Sequence, residues 1–303
     1  MANIQKKYII LSSIVVVLVV ILILTVTLKN KGYSLPKFKT INTQLSEITI
    51  TRNGNETITI KFNDNKWIVN DKYNAYVKAV ESITNAFNNI QPVELLSRGS
   101  SEILDKYSLT DNEALIVKAK DASSKEVRNI KFGMKANFGN LVYAQINNDK
   151  NVYLIGNIPI NPKDIFDKTE DDLINKTISF VRIDDINKIT ISYNNNSYTI
   201  EKTDSTNWTK TWNNKNLNQD DIYTSLYFIA NLRADGLIKN EAQKSNLLYK
   251  IEIYLSDNKT VSYNIYSKTD NYEIELVNDN NRYYLLESSF QNLEEKINDI
   301  INN

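Results

Sequence analysis

The residues whose types could carry acid–base chemistry are four adjacent carboxylate pairs: Asp171 with Asp172, Asp184 with Asp185, Asp220 with Asp221, and Glu294 with Glu295. Neighbouring residues point to opposite faces of a strand and stand about 100° apart on a helix, so none of the four makes a ready acid and base. Helix capping and plain solvation account for them. The stretch Gly133 to Gly139 lacks the Gly-Lys-Ser/Thr ending of a phosphate loop, and no Gly-x-Gly-x-x-Gly occurs. Asp257-Asn258-Lys259 and Asp279-Asn280-Asn281 carry calcium-type ligands, but without the spaced acids and distant Glu of a calcium loop they read as turns. Ser and Lys are plentiful, yet no Gly-x-Ser-x-Gly occurs and no Ser-x-x-Lys stands in a suggestive setting.

Composition closes further routes. The 303 residues hold 36 Lys+Arg, 36 Asp+Glu, no His and no Cys. Disulfides, thiolate nucleophiles, Cys/His zinc sites, Ser-His-Asp triads and histidine switches are therefore excluded. Balanced charge argues against a nucleic-acid footprint. The reading is of a protein with no catalytic, metal or cofactor site. Arg is rare, six against 30 Lys, and the 44 Asn look like AT-rich coding bias.

Aromatic residues are the remaining chemical resource. Eighteen Tyr and three Trp are present, and the second half concentrates Tyr249, Tyr254, Tyr263, Tyr266, Tyr272, Tyr283 and Tyr284. Tyr is a favoured strand residue, which is the plain explanation. Beside it stand a protein interface through Tyr254, Tyr263, Tyr266 and Tyr272, and stacking on sugars. Trp67 and Trp208 are expected in the core.

What must position these residues begins with a tether. Tyr8 to Leu28, centred near Val17, holds 16 Ile, Leu or Val in 21 positions and no charge. As a helix it would span roughly 31 Å, matching a hydrocarbon core of about 30 Å. Its length, and an exit without a small-x-small site, favour an uncleaved transmembrane anchor over a signal peptide. Lys6 and Lys7 precede it, while Lys29, Lys31, Lys37 and Lys39 follow, so a plain positive-inside count favours a cytoplasmic body. A short basic tail is nonetheless the usual cytosolic start of a signal-anchor. The expectation taken is a single-pass inner-membrane protein with its body outside. After residues 1–32, the body has 32 bases and 36 acids, a formal charge of −4.

The body reads as written twice. ITITRNGNETITIKFNDNKW (48–67) and ITISYNNNSYTIEKTDSTNW (189–208) place Ile48 with Ile189, and Trp67 with Trp208, at one offset of 141. Each alternates apolar and polar residues about an Asn/Gly-rich break, the pattern of a hairpin with one buried face. Helical spacing follows at Tyr73, Val77, Val80, Ile83, Phe87 and Ile90, and again at Ile222, Leu226, Ile229 and Leu232 with cap candidates at Asn218, Asp220 and Asp221. Pro92 and Gly236 are the expected breakers. Strand pairs follow at 114–133 and 141–156, and at 249–268 and 272–287. Helices close each copy, near Pro162 to Asp167 and through Phe290, Leu293, Ile297 and Ile300. The fold class expected is α+β: an N-terminal transmembrane helix, then two tandem similar repeats, each a mostly antiparallel sheet with a long helix on one face. The divisions are a tail at 1–7, the anchor at 8–28, a spacer at 29–46, and repeats at 47–180 and 181–303.

These features together resemble the bacterial domain-of-unknown-function family 4340. The resemblance rests on the anchor, the strands ending at Trp67, Val93-Glu94-Leu95-Leu96, and Leu104-Asp105-Lys106-Tyr107-Ser108-Leu109. It continues through Ile130-Lys131-Phe132-Gly133, Val142-Tyr143-Ala144-Gln145, Val152-Tyr153-Leu154-Ile155 and Asp172-Leu173-Ile174-Asn175-Lys176. Ser108 stands where the family usually has Gly, and a side chain there disfavours a left-handed backbone. The resemblance implies an envelope protein with no assigned reaction, often encoded beside gliding-motility-type ABC-transporter components. A non-enzymatic accessory or scaffold subunit, with the bilayer and transporter subunits as partners, is thus the leading expectation. The alternative is an extracytoplasmic module binding polysaccharide or peptide. A C-terminal alkaline phosphatase fusion is expected to be active; a stably made but inactive fusion would put the body in the cytoplasm.

Overall fold

The computed structural model describes residues 14–25, 35–156, 158–239, 246–267, 271–279 and 281–302. Residues 14–25 form a helix, α1, with every side chain exposed, Val17 among them. Tyr8, Leu28 and the other ends of the expected span lie outside the described residues. Among the described residues no helix is long and apolar enough to cross a membrane.

The first sheet opens as a meander of β1 (Leu45–Arg52), β2 (Glu56–Asn63), β3 (Lys66–Val69) and β4 (Tyr73–Asn74). Then α2 (Val77–Asn89) carries the chain to β5 (Gln91–Arg98) at the far edge. After the short α3 (Ser101–Lys106) the chain returns to the middle. There β6 (Leu115–Asp121) lies beside β1, and β7 (Glu126–Lys135), β8 (Val142–Ile146) and β9 (Asn151–Gly156) run out to meet β5. The order is β4-β3-β2-β1-β6-β7-β8-β9-β5.

Next come α4 (Pro162–Phe166), α5 (Glu170–Leu173) and a 3-10 turn, Ile183–Asp185. A second sheet then takes the same walk. Its meander is β10 (Ile186–Tyr193), β11 (Asn196–Lys202), β12 (Asn207–Lys210) and β13 (Asn216–Asn218). The helix α6 (Gln219–Ala230) leads to the edge strand β14 (Gly236–Leu237). Then β15 (Leu247–Leu255), β16 (Thr260–Ser267), β17 (Tyr272–Leu276) and β18 (Arg282–Leu285) precede the terminal α7 (Glu287–Asn302). The order is β13-β12-β11-β10-β15-β16-β17-β18-β14, with every pairing antiparallel. By compactness the chain divides into one unit that includes 49–57 and 84–167 and another that includes 58–83 and 168–303.

Alternation decides which face is buried. Ile48 and Ile50, Ile58 and Ile60, Val117 and Ala119, and Ile130 and Phe132 are all buried on one side of the first sheet. Val80, Ile83 and Phe87 form the buried stripe of α2, and the Phe166 ring sits 4.8 Å from Phe87 and 5.1 Å from Phe132. Tyr73, expected in this helix, lies in β4, and Val77 is exposed because it opens the first turn on the outer side. The helices end at Asn89 and Ala230, three residues before Pro92 and six before Gly236, and both of these residues lie in edge strands.

The Asn content has a structural use. Asn53 and Gly54, Asp64 and Asn65, Asn147 and Asn148, and Asn194 and Asn195 all take left-handed backbones at hairpin turns. Such turns match the strand twist, and Asn and Asp tolerate them best after Gly. The expected spacer is also partly structured. Phe38 N–H donates to Gln91 Oε1 (3.1 Å), Ile41 N–H to Asn88 Oδ1 (2.8 Å), and Arg128 Nη2 to the Lys39 carbonyl (2.7 Å). Residues 38–41 are therefore docked on the body.

Ser108 does adopt the left-handed backbone, at φ 52°. The turn around it is closed by Leu109 N–H to the Leu104 carbonyl (2.7 Å) and by Met134 N–H to the Tyr107 carbonyl (2.9 Å). Gly133 makes that approach feasible: a Cβ there would lie 2.1 Å from the Tyr107 carbonyl oxygen and 2.9 Å from Leu109 Cγ. Gly133→Ala is expected to lower stability by at least about 2 kcal/mol, since the contact is with backbone and cannot rotate away. Ser108→Gly removes roughly 1–2 kcal/mol of left-handed strain against about 0.4–1 of added unfolded-state entropy, so a small gain is expected. Thermal unfolding of the full chain measures both; a Gly133→Ala protein as stable as the parent would refute the close approach.

Candidate binding groove

A helix leaves its last carbonyls without intrahelical partners. At the end of α6 the Ala230 carbonyl, and the Leu232 carbonyl just beyond it, are met by the segment that follows α5. Val181 N–H donates to the Ala230 carbonyl (3.0 Å), Ser179 Oγ to the same carbonyl (2.7 Å), and Ile178 and Ser179 N–H to the Leu232 carbonyl (2.9 and 3.0 Å). Asn231 Nδ2 returns a bond to the Val181 carbonyl (3.2 Å). The backbone is thus fixed on both sides of Phe180. Ser179 and Val181 are buried while Phe180 is 83% exposed, more than any other large apolar side chain among the described residues.

The second wall comes from α6 itself. Its cap is Asn218, whose side chain accepts from Asp220 N–H (2.9 Å), as the cap candidates suggested. Ile222, Leu226 and Ile229 face the core, which turns Tyr223 and Tyr227 outward, each about half exposed. Their rings lie 6.5 Å apart and within 17° of parallel. The β15–β16 turn makes the third wall, where Ser256 N–H donates to the Asp185 carbonyl (2.9 Å). The result is an open groove of about 780 Å³.

Charge on its rim is mostly negative. Asp184, Asp185 and Asp257 line it with one cation, Arg182. Arg182 reaches Asp184 only at 3.7 Å, with both side chains more than 70% exposed, so the pair contributes little. The Asp257 carboxylate is held below its usual range by the Lys259 ammonium, which donates to it at 2.5 Å, and by Lys259 N–H. Asp185 has no side-chain partner among the described residues. An aromatic floor under carboxylates can stack on a flat or cationic group and pair with its charge.

Of the residues singled out in the sequence, one carboxylate pair, Asp184–Asp185, reaches this groove, together with Asp257 of the β15–β16 turn. The other carboxylate pairs serve the fold. Asp172 closes a capping box with Thr169, Asp171 pairs with Lys176 at 2.6 Å, Asp220 and Asp221 sit in the first turn of α6, and Glu294 accepts from Tyr249 (2.9 Å). Trp208 is fully buried and its indole donates to Gln219 Oε1 (3.3 Å), whereas Trp67 is only half-buried against Phe62.

The four expected interface tyrosines do not share a surface. Tyr263 is in the core with its hydroxyl on the Ile229 carbonyl (3.0 Å), and burial pushes its pKa up. Tyr272 stacks on Phe290 at 3.6 Å on that same face. Tyr254 and Tyr266 lie on the opposite face, one under Lys188 (4.3 Å) and one donating to Glu275 (3.1 Å). Strand parity separates them. Sequence reading missed Phe180, Tyr223 and Tyr227; the available signal was an aromatic pair four residues apart on the side of α6 away from its apolar stripe. A second cleft of about 500 Å³ lies over the outer face of the first sheet, where Lys131 pairs with Asp111 at 2.6 Å.

Fold and groove together define an α+β protein of largely antiparallel sheets with an open, aromatic-lined groove. The family model described as domain of unknown function (DUF4340) matches residues 67–250, well over half of the chain, and the chain belongs to that family. No curated protein and no solved structure matches it. The matched range takes in Phe180, Tyr223 and Tyr227 and stops before Ser256. Phe180→Ala is expected to change stability by no more than about 0.5 kcal/mol, against roughly 2–5 for Ile229→Ala. Equal losses in chemical denaturation would make Phe180 a folding residue instead.

Proposed function

We propose that this chain is a non-enzymatic, single-pass envelope protein, anchored by residues 8–28, whose body binds another protein at the Phe180 groove. The carrying observation is Phe180 itself: an 83% exposed ring on a backbone pinned at both neighbours. An exposed ring on a rigid support is what an interface anchor requires, because little entropy is lost when it is covered. The family resemblance supplies the expected partner class, membrane subunits of an ABC transporter or motility-type complex. Two tandem repeats of one ancestral unit, at 47–180 and 181–303, are supported by the matching strand orders and by Ile48 and Ile189 taking matching buried places in β1 and β10.

A photo-crosslinking amino acid replacing Tyr227 in the full chain is expected to give a discrete adduct with an integral membrane protein in native membranes. The same group at Glu56, the exposed first residue of β2, is expected to give none. Adducts absent from both positions would end the proposal. Sugar stacking is the second reading, favoured by the near-parallel rings of Tyr223 and Tyr227. It expects thermal stabilisation of the full chain by soluble oligosaccharides.

A further inference from the structure

The two sheets treat one feature differently. In each, the segment before the first strand docks on the end of the long helix and carries a phenylalanine, Phe38 ahead of β1 and Phe180 ahead of β10. Phe38 is buried, 7% exposed, because the Arg128 guanidinium lies over its ring at 4.5 Å. That guanidinium is itself nearly buried without a carboxylate partner among the described residues; the ring and the Lys39 carbonyl are what it meets. Arg128 pairs with Ala119 in the β6–β7 register, two pairs beyond Val117–Ile130 and so on the same face. In the β15–β16 register the corresponding place, beyond Ile251–Tyr263, pairs Ile253 with Val261. The second sheet thus has an aliphatic residue where the first has its cation, and Phe180 stays open.

We infer that the groove takes a lysine- or arginine-bearing segment of the protein partner, its cation seated over Phe180 as Arg128 is over Phe38. This rests on the groove being a protein-binding site. Three further observations agree. No Lys or Arg among the described residues lies over Phe180, Tyr223 or Tyr227, although the chain places cations over Tyr73, Tyr76, Tyr107, Tyr254, Trp208 and Trp212. The rim offers Asp184 and Asp185 to a second charge contact. The body's formal charge of −4 steers a basic partner toward it.

The test uses the full chain in nanodiscs and three fluorescent dodecapeptides of equal length: Lys/Leu, Glu/Leu and Ser/Gly. Anisotropy is expected to show the Lys/Leu peptide binding at least about tenfold more tightly than the other two, with Phe180→Ala removing most of the difference. Asp184→Asn with Asp185→Asn is expected to weaken binding roughly three- to tenfold and to flatten its salt dependence. The control Glu56→Gln should change neither. Equal binding of acidic and basic peptides, or a Lys/Leu affinity untouched by both groove variants, overturns the assignment. A Tyr227 adduct obtained alongside such a result leaves the protein-binding reading standing and removes the cation alone.

Discussion

Because side chains alternate along a strand, Ile189, Ile191, Ile200, Ile251, Ile253, Tyr263 and Ile265 fall on one face of the second sheet, and all are buried. An apolar face that wide must be covered, and α6 and α7 cover it with Ile222, Leu226 and Ile229, and with Phe290, Leu293, Ile297 and Ile300. Polar groups at the seam are satisfied there: the Tyr263 hydroxyl meets the Ile229 carbonyl, the Tyr249 hydroxyl meets Glu294, and Lys210 Nζ meets the Ile301 carbonyl near the end of α7. A buried lysine is tolerated because it reaches the carbonyl end of a helix, where a cation is favoured, although burial still lowers its pKa.

The groove follows from that covering. Fixing the apolar stripe of α6 against the sheet fixes the direction in which Tyr223 and Tyr227 point. Ending α6 at Ala230 creates carbonyls that need donors, and the stretch 178–181 supplies them in extended form. Extended backbone alternates, so satisfying the helix through Ser179 and Val181 turns Phe180 outward. Its exposure is thus a product of the hydrogen bonding beneath it rather than of looseness.

Local pattern carried most of the fold into view from sequence. Strand pairs at 114–133, 141–156, 249–268 and 272–287 and the terminal helix all appear where alternation and helical spacing placed them. Long-range contacts did not. Arg128 and Lys39 are 89 positions apart, and nothing in the composition of 29–46 reveals that its end is docked. The tyrosines of the second half were grouped by density, which ignores parity; Tyr263 and Tyr266 are three apart and therefore face opposite ways on one strand. Asn looked like coding bias because composition cannot show φ, yet four hairpin turns use Asn in a left-handed backbone.

The contrast between the two sheets is the more informative for being local. Trp67 and Trp208 share an offset and a strand position, yet one is half-buried and the other sealed. Val69 and Lys210 sit two residues further along, both buried, one apolar and one charged. Such exchanges keep the strand order while changing which surface each sheet leaves open. Arg128 closes the first at Phe38; Val261, too short and uncharged, leaves the second open at Phe180. A topology held by alternation tolerates that difference, because Arg128 and Val261 stand at the hairpin ends of their rows, beyond Ile130 and Tyr263.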